Sequence, residues 1–276
     1  MVCMGRKSYD AHDAVGETLK FITSSKVRTK IMLGLQEEPK TSSVLRDEIG
    51  ASASSVIHAA RDLEKEDLLV ERDDGYHLTS VGSVVAAKLH DIIQTMDVFE
   101  REKDFWLTHN VEAIPQPFLN RIHEIGDYEI LTSSVRNIFR TFTVYKELTQ
   151  KARTFQGVSP IFVDAFVPMI KKLLENKAKV HLVLTEKVLD ELVDIDQAGF
   201  RAMLENNNLS LWRLDEEVQV AFTVTDTVLA LGLFGRDGIY DVSHDLVSRD
   251  KGAINWGREL FKYYKSRARL VVLEDI

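Results

Sequence analysis

Apolar residues in the first hundred positions recur in short helical runs, each closed by a turn signal. Between Ser24 and Leu35, the positions Val27, Ile31, Leu33 and Leu35 predict a short amphipathic helix. It should stop near Glu37-Glu38-Pro39, because proline cannot continue a helix and biases its predecessor away from one. Thr41 or Ser42 is placed to cap a second helix, with Val44, Leu45 and Ile49 as its inner face and Gly50 as its stop. Ser52 opens a third helix running to Glu64, and Val56, Ala60 and Leu63 should face inward. The period then shortens. Leu68–Arg72 and Tyr76–Thr79 read as two strands joined at Asp73-Asp74-Gly75, and a new helix with Val84, Val85, Leu89, Ile92 and Ile93 begins near Ser80. Two short helices around a glycine turn, followed by a hairpin, predict a winged helix-turn-helix.

From Ile92 to Trp106 the pattern predicts one long charged helix, and Pro115 and Pro117 mark a loop behind it. The expected organisation is a winged-helix domain at 1–95, a linker helix and loop at 96–120, and an α/β domain at 121–276. In the last of these, strands are expected at Tyr128–Leu131, Thr154–Val158, Lys179–Thr185 and Leu209–Arg213. Between them fall helices at Val135–Lys151, Val163–Asn176, Glu186–Val193 and Gln197–Asn206. Such alternation predicts a mostly parallel sheet covered by helices on both faces, so the fold class is α/β overall. Gln219–Val224 and Val228–Phe234 should pair around Thr225-Asp226-Thr227, Ile239–Val242 should add a strand, and a last helix should span Lys251–Arg267.

The run Ser54–Leu69, followed by Gly75-Tyr76-His77-Leu78-Thr79 and Gly82, resembles winged-helix regulators of the arsenical-repressor and multiple-antibiotic-resistance type. Further along, three segments resemble a group of archaeal regulators best known from methanogens. They are Phe105-Trp106-Leu107-Thr108-His109 with Ile114-Pro115, Gly157-Val158-Ser159-Pro160, and Asn255–Tyr264. In that group a winged helix precedes a domain related in fold to phospholipase D and to the sugar-sensing part of archaeal maltose regulators. The resemblance implies a ligand-responsive or assembly domain that controls transcription.

Charge modifies this picture. A net charge of −8 over 276 residues argues against a protein that coats nucleic acid with its whole surface. Residues 20–61 nevertheless carry seven Lys/Arg against four Asp/Glu, and this cation-richer stretch coincides with the helix-turn-helix. No apolar run reaches the roughly 18 residues a spanning helix needs, and Met1–Ser8 lacks the apolar core of a signal peptide. Cys3 is the single cysteine, which excludes an internal disulfide and a multi-cysteine zinc site. A cytoplasmic protein with no membrane partner, no cofactor and no bound metal is expected.

A helix laid in the major groove presents its first turns and outward face to base edges. The candidates are Ser52, Ser54, Ser55, Ile57, His58 and Arg61, with phosphate contacts from Arg28, Lys30, Lys40 and the wing residue Arg72. The wing itself is short and carries Asp73 and Asp74, which repel phosphates. The expected partner is double-stranded DNA, read as an inverted repeat by a homodimer. A winged helix that binds only proteins, as part of a scaffold, is the alternative.

Phospholipase D chemistry needs a histidine nucleophile with lysine two positions on. None of the eight histidines has it: His181 is followed by Leu182-Val183, and His244 by Asp245-Leu246. Phosphate-binding loops, nucleophile elbows and paired metal-ligand histidines are equally missing, so an enzyme is not expected. An unrecognised phosphodiester hydrolase is the remaining rival. A small-molecule effector, if bound, should sit at the carboxyl ends of the parallel strands, near Thr132, Ser133, Ser159 and Thr185. Serine and threonine there are also ordinary helix caps.

Overall fold

Three hydroxyl side chains start the N-terminal helices. Ser25 accepts a hydrogen bond from the Arg28 amide, Thr41 from that of Val44, and Ser52 from that of Ser55. Each satisfies one of the amides that a helix leaves open at its start. The computed structural model describes residues 8–275 and divides after Gln94 into two units. Cys3 lies outside the described residues.

The first unit contains α1 (Ser8–Thr23), α2 (Lys26–Gly34), α3 (Ser42–Ile49), α4 (Ala53–Lys65), β1 (Leu69–Arg72) and β2 (Gly75–Leu78). The start of α5 (Ser80–Arg101) also belongs to it. Gly50, at φ 70°, ends α3 in the left-handed region and turns the chain into α4. Ile31, Met32, Leu45, Val56, Ala60 and Leu63 are almost wholly buried and form its core with Leu69 and Tyr76. β1 and β2 pair antiparallel from Leu69↔Leu78 to Arg72↔Gly75, leaving Asp73-Asp74 as the hairpin tip. Two expectations need correction. Val44 is 42% exposed instead of facing inward, and α1 precedes the first helix that periodicity revealed.

The entry to α5 explains Leu78-Thr79-x-x-Gly82. Thr79 donates its hydroxyl to the Asp67 carbonyl at 2.7 Å and accepts the Gly82 amide at 2.9 Å. A Cβ at Gly82 would lie 1.9 Å from the Leu68 carbonyl oxygen, so only glycine lets α5 pass this close to the chain before β1.

The second unit starts within α5 and continues through α6 (Lys103–Thr108) and α7 (Gln116–Leu119). The expected long helix over 92–106 breaks at Glu102, whose φ/ψ of −129°/53° are not helical. The stretch 96–120 is also more than a linker. Val98, Phe105, Trp106, Ile114 and Phe118 are buried in the core of this unit, and the Trp106 indole donates to the Val98 carbonyl and the Tyr128 hydroxyl.

Beyond it come β3 (Glu129–Thr132), α8 (Arg140–Thr149), β4 (Thr154–Ser159), α9 (Phe166–Glu175), β5 (Lys179–Thr185), α10 (Glu186–Leu204) and β6 (Leu209–Leu214). β7 (Val220–Thr225), β8 (Leu229–Leu233), β9 (His244–Ser248), α11 (Lys251–Lys265) and β10 (Arg269–Leu270) complete it. The eight-stranded sheet has the order β10-β6-β5-β4-β7-β8-β9-β3. Only β4–β5 and β5–β6 are parallel; every other pairing is antiparallel, so the sheet is mixed and not mostly parallel. The cause is local. β7, β8 and β9 follow one another without crossover helices, and β3 joins the far edge beside β9. β9 replaces the strand expected at Ile239–Val242, where Tyr240 makes only an isolated bridge to Phe234.

Helices cover both faces. α11 buries Trp256, Leu260, Phe261 and Tyr264 against Val158, Val183, Phe222 and Leu231, and the Trp256 indole donates to the Phe118 carbonyl at 3.1 Å. On the other face α8, α9 and α10 pack over β3, β4, β5, β6 and β8. α10 holds the two expected helices, joined across a kink at Asp196.

Candidate nucleic-acid interface

α4 is amphipathic: Val56, Ala59, Ala60 and Leu63 are buried while Ser54, His58, Arg61 and Lys65 are exposed. The exposed four stand at i, i+4, i+7 and i+11, which is one stripe of a helix. Ser52 caps the N-terminus of that stripe; its hydroxyl lies 2.9 Å from that of Ser54 and 2.8 Å from that of Ser55. Among the described residues, no ion pair or hydrogen bond engages the side chains of His58 and Arg61. Ile57 is half-buried beside the stripe. The helix therefore offers short hydroxyls at its positive end and two exposed donors one and two turns further on, which suits a groove lined by phosphates and base-edge acceptors.

The expected phosphate contacts fare differently. Arg28 is 18% exposed at its side chain, donates to the Phe21 carbonyl at 2.8 Å, lies 4.0 Å from the centre of the Phe21 ring and faces Asp62 at 3.6 Å. Lys30 donates to the Ile49 carbonyl at 3.1 Å, the last carbonyl of α3. Lys40 is clamped by both Glu48 oxygens at 2.8 and 3.0 Å, and this hydrogen bond raises its pKa. These three cations are tied to Phe21, Ile49 and Glu48 within the first unit, and Lys30 remains exposed. Arg72 is exposed on the wing. The wing stays acidic, because the His77 imidazole bonds Asp74 at 2.7 Å and lowers its carboxyl pKa. Lys65, 75% exposed on its side chain, was missed in the sequence although it lies four positions beyond Arg61.

The four candidate effector contacts do not converge. Thr132 and Ser133 end β3 at one edge of the sheet, whereas Ser159 and Thr185 end β4 and β5 well inside it. Ser133 shares a 2.7 Å hydrogen bond with Thr141, and the Thr132 carbonyl accepts from Arg140. Thr185 stands at the N-cap of α10 without a side-chain capping bond. Ser159 donates to the Ile161 carbonyl and borders an apolar cavity.

Residues 16–97 match the family described as methanogenesis regulatory protein FilR1, N-terminal domain, and residues 138–267 match the middle domain of the same protein. The chain is therefore similar to two successive domains of one regulatory protein. A curated relative, the methanogenesis regulatory protein FilR1 of Methanothrix harundinacea (strain 6Ac), is 28% identical over 267 residues, covering 94% of this chain. The chain spans 59% of the length of that FilR1 protein. Among solved structures, the archaeal chromatin protein TrmBL2 aligns over 94% of this chain and 100% of its own, with 15% identity and a TM-score of 0.42. NucT from Helicobacter pylori aligns over 52% of this chain and 98% of its own, with 10% identity and a TM-score of 0.41.

Proposed function

We propose that the chain is a DNA-binding transcriptional regulator in which α4 reads the major groove and the second unit senses a ligand or sets assembly. The observation that carries this reading is the exposed stripe Ser54, His58, Arg61 and Lys65, on a helix capped by Ser52 and buried along its opposite side. Similarity to two domains of a protein named as a regulator supports it. The sequence lacks the histidine–lysine pair that phospholipase D-type phosphodiester transfer needs, which counts against that form of hydrolysis. Arg72 completes the surface as a phosphate contact, while Asp73 and Asp74 keep the wing tip out of the minor groove. Its partner, double-stranded DNA, places its action in the cytoplasm; no helix among the described residues is long and apolar enough to cross a membrane.

The regulator acts as a homodimer on an inverted repeat. Val81, Val84 and Ile92 lie within about 80° of one another around α5 and are 57–64% exposed, an apolar strip suited to its own copy. Fluorescence anisotropy tests the function directly, with a duplex from the protein's own upstream region beside a scrambled duplex. Tight, salt-sensitive binding that favours the native duplex is expected. Absence of binding to both at low salt sinks the reading and leaves the protein-binding winged helix.

A further inference from the structure

The second unit contains an apolar cavity of about 120 Å³ between the sheet and α8, α9 and α10. Its floor exists because the sheet carries small residues there: Gly157, Ala221, Ala230 and Gly232, where neighbouring positions hold leucine and phenylalanine. A second cavity of about 260 Å³ between α9 and α10 shares Phe162, Val167, Leu192, Phe200 and Met203 with it, and reaches Lys171 and Asp196 outside. The kink of α10 at Asp196 therefore lies at the outer end of this passage.

The inner cavity carries an unusual polar group. Asp245, Tyr240, Tyr145 and Thr223 line it at the β7–β8–β9 side. The Tyr145 and Thr223 hydroxyls bond each other at 2.8 Å, and Tyr240 is 3.5 Å from the Asp245 carboxylate. Burial raises the Asp245 pKa to about 6, with Asp241 adding to the shift, so the carboxylate is charged at neutral pH but poorly compensated. Among the described residues, no lysine, arginine or histidine lines the inner cavity. A buried carboxylate at the end of an apolar chamber is costly unless something donates to it.

We propose that this cavity binds a small, ring-sized apolar molecule whose single polar group donates hydrogen bonds to Asp245, as an ammonium or a hydroxyl does. A chamber near 150 Å³ holds benzene, so 120 Å³ with an adjoining passage limits the apolar body to about one ring and a short tail. Asp245 accepts only, which excludes anionic ligands by like charge and selects donors, with an ammonium restoring the missing counter-charge. The Tyr145–Thr223 pair and the Tyr240 hydroxyl orient the head group, and Phe162 and Phe200 stand in the passage it enters. This inference deepens the sensing role proposed for the second unit. It is measured without DNA, so failure to bind DNA and failure to bind ligand are separate results.

The test is isothermal titration of the full chain with three probes of one skeleton: 2-phenylethylamine, 2-phenylethanol and 3-phenylpropanoate. The amine should bind saturably at one site per chain, the alcohol more weakly, and the carboxylate not at all. Asp245→Asn should weaken the amine at least tenfold and change the alcohol less than threefold. Ala221→Leu, which fills the floor, should abolish both while circular dichroism confirms that the chain is folded. If Ala221→Leu misfolds, Asp245→Asn alone decides. Binding of none of the probes, preference for the carboxylate, or equal amine affinity in Asp245→Asn would overturn the proposal.

Discussion

Arg28 and Arg61 look equivalent in the sequence and are opposites in the structure. Arg28 donates to a backbone carbonyl, covers the Phe21 ring and faces Asp62, so its loss removes packing and a hydrogen bond together. Arg28→Ala should lower the stability of the first unit by about 1–3 kcal/mol, read as a shift in the urea midpoint at unchanged slope. Arg61 is exposed on α4, so Arg61→Ala should leave that midpoint in place and weaken DNA binding by about 1–3 kcal/mol. If the two variants behave alike in both assays, this division of roles is wrong. Gly82 offers a sharper case. An alanine Cβ there would meet the Leu68 carbonyl oxygen at 1.9 Å, so Gly82→Ala should cost at least about 2 kcal/mol, seen as a lowered Tm of the first unit. Asp245 gives a pH signature. Its folded pKa, about 6, lies above the ordinary 3.8, so the folded state prefers the neutral acid. Its full contribution is present below pH 4 and is lost as pH rises through 6, on the order of 3 kcal/mol. Tyr240, Asp241 and His244 are the groups that act on it. Urea midpoints of the parent and Asp245→Asn should diverge between pH 4 and 7, the variant being the more stable at pH 7; parallel curves would contradict the assignment.

At the scale of elements, α11 is the keystone of one sheet face. Trp256 is fully buried and its indole reaches the Phe118 carbonyl, which ties the 96–120 segment to the sheet. Trp256→Ala should destabilise the second unit by about 3–5 kcal/mol, and differential scanning calorimetry should show a lower Tm for it. Local signals revealed most elements well. Thr41, Gly50 and Ser52 mark their helix ends, and Lys179–Thr185 is the strand that its apolar run predicts. Sheet direction was harder to read, because apolar alternation does not encode pairing partners. β3 resembles the first strand of a parallel unit but joins β9 antiparallel at the edge, which removes Thr132 and Ser133 from any crevice shared with Ser159. β9 was hidden because His244-Asp245 make its first half polar, and of these two Asp245 lines the cavity. The exposed face of α4 was legible from helical phase alone. The internal ties of Arg28, Lys30 and Lys40 depend on tertiary partners, Asp62, Ile49 and Glu48, that no spacing rule supplies.

For the molecule as a whole, the proposal requires two α4 helices presented together to one duplex. Val84→Glu with Ile92→Glu puts charge into the exposed strip of α5 and should yield a monomer by sedimentation velocity, with weaker binding to an inverted repeat. The most direct test of the central claim is the salt dependence of duplex binding by the parent and Arg61→Ala, followed by anisotropy. The parent should bind its upstream duplex with an affinity that falls steeply as salt rises. Arg61→Ala should bind about tenfold or more weakly and lose preference over scrambled duplex. Unchanged affinity and preference in Arg61→Ala would contradict the reading of α4 as the helix that recognises DNA.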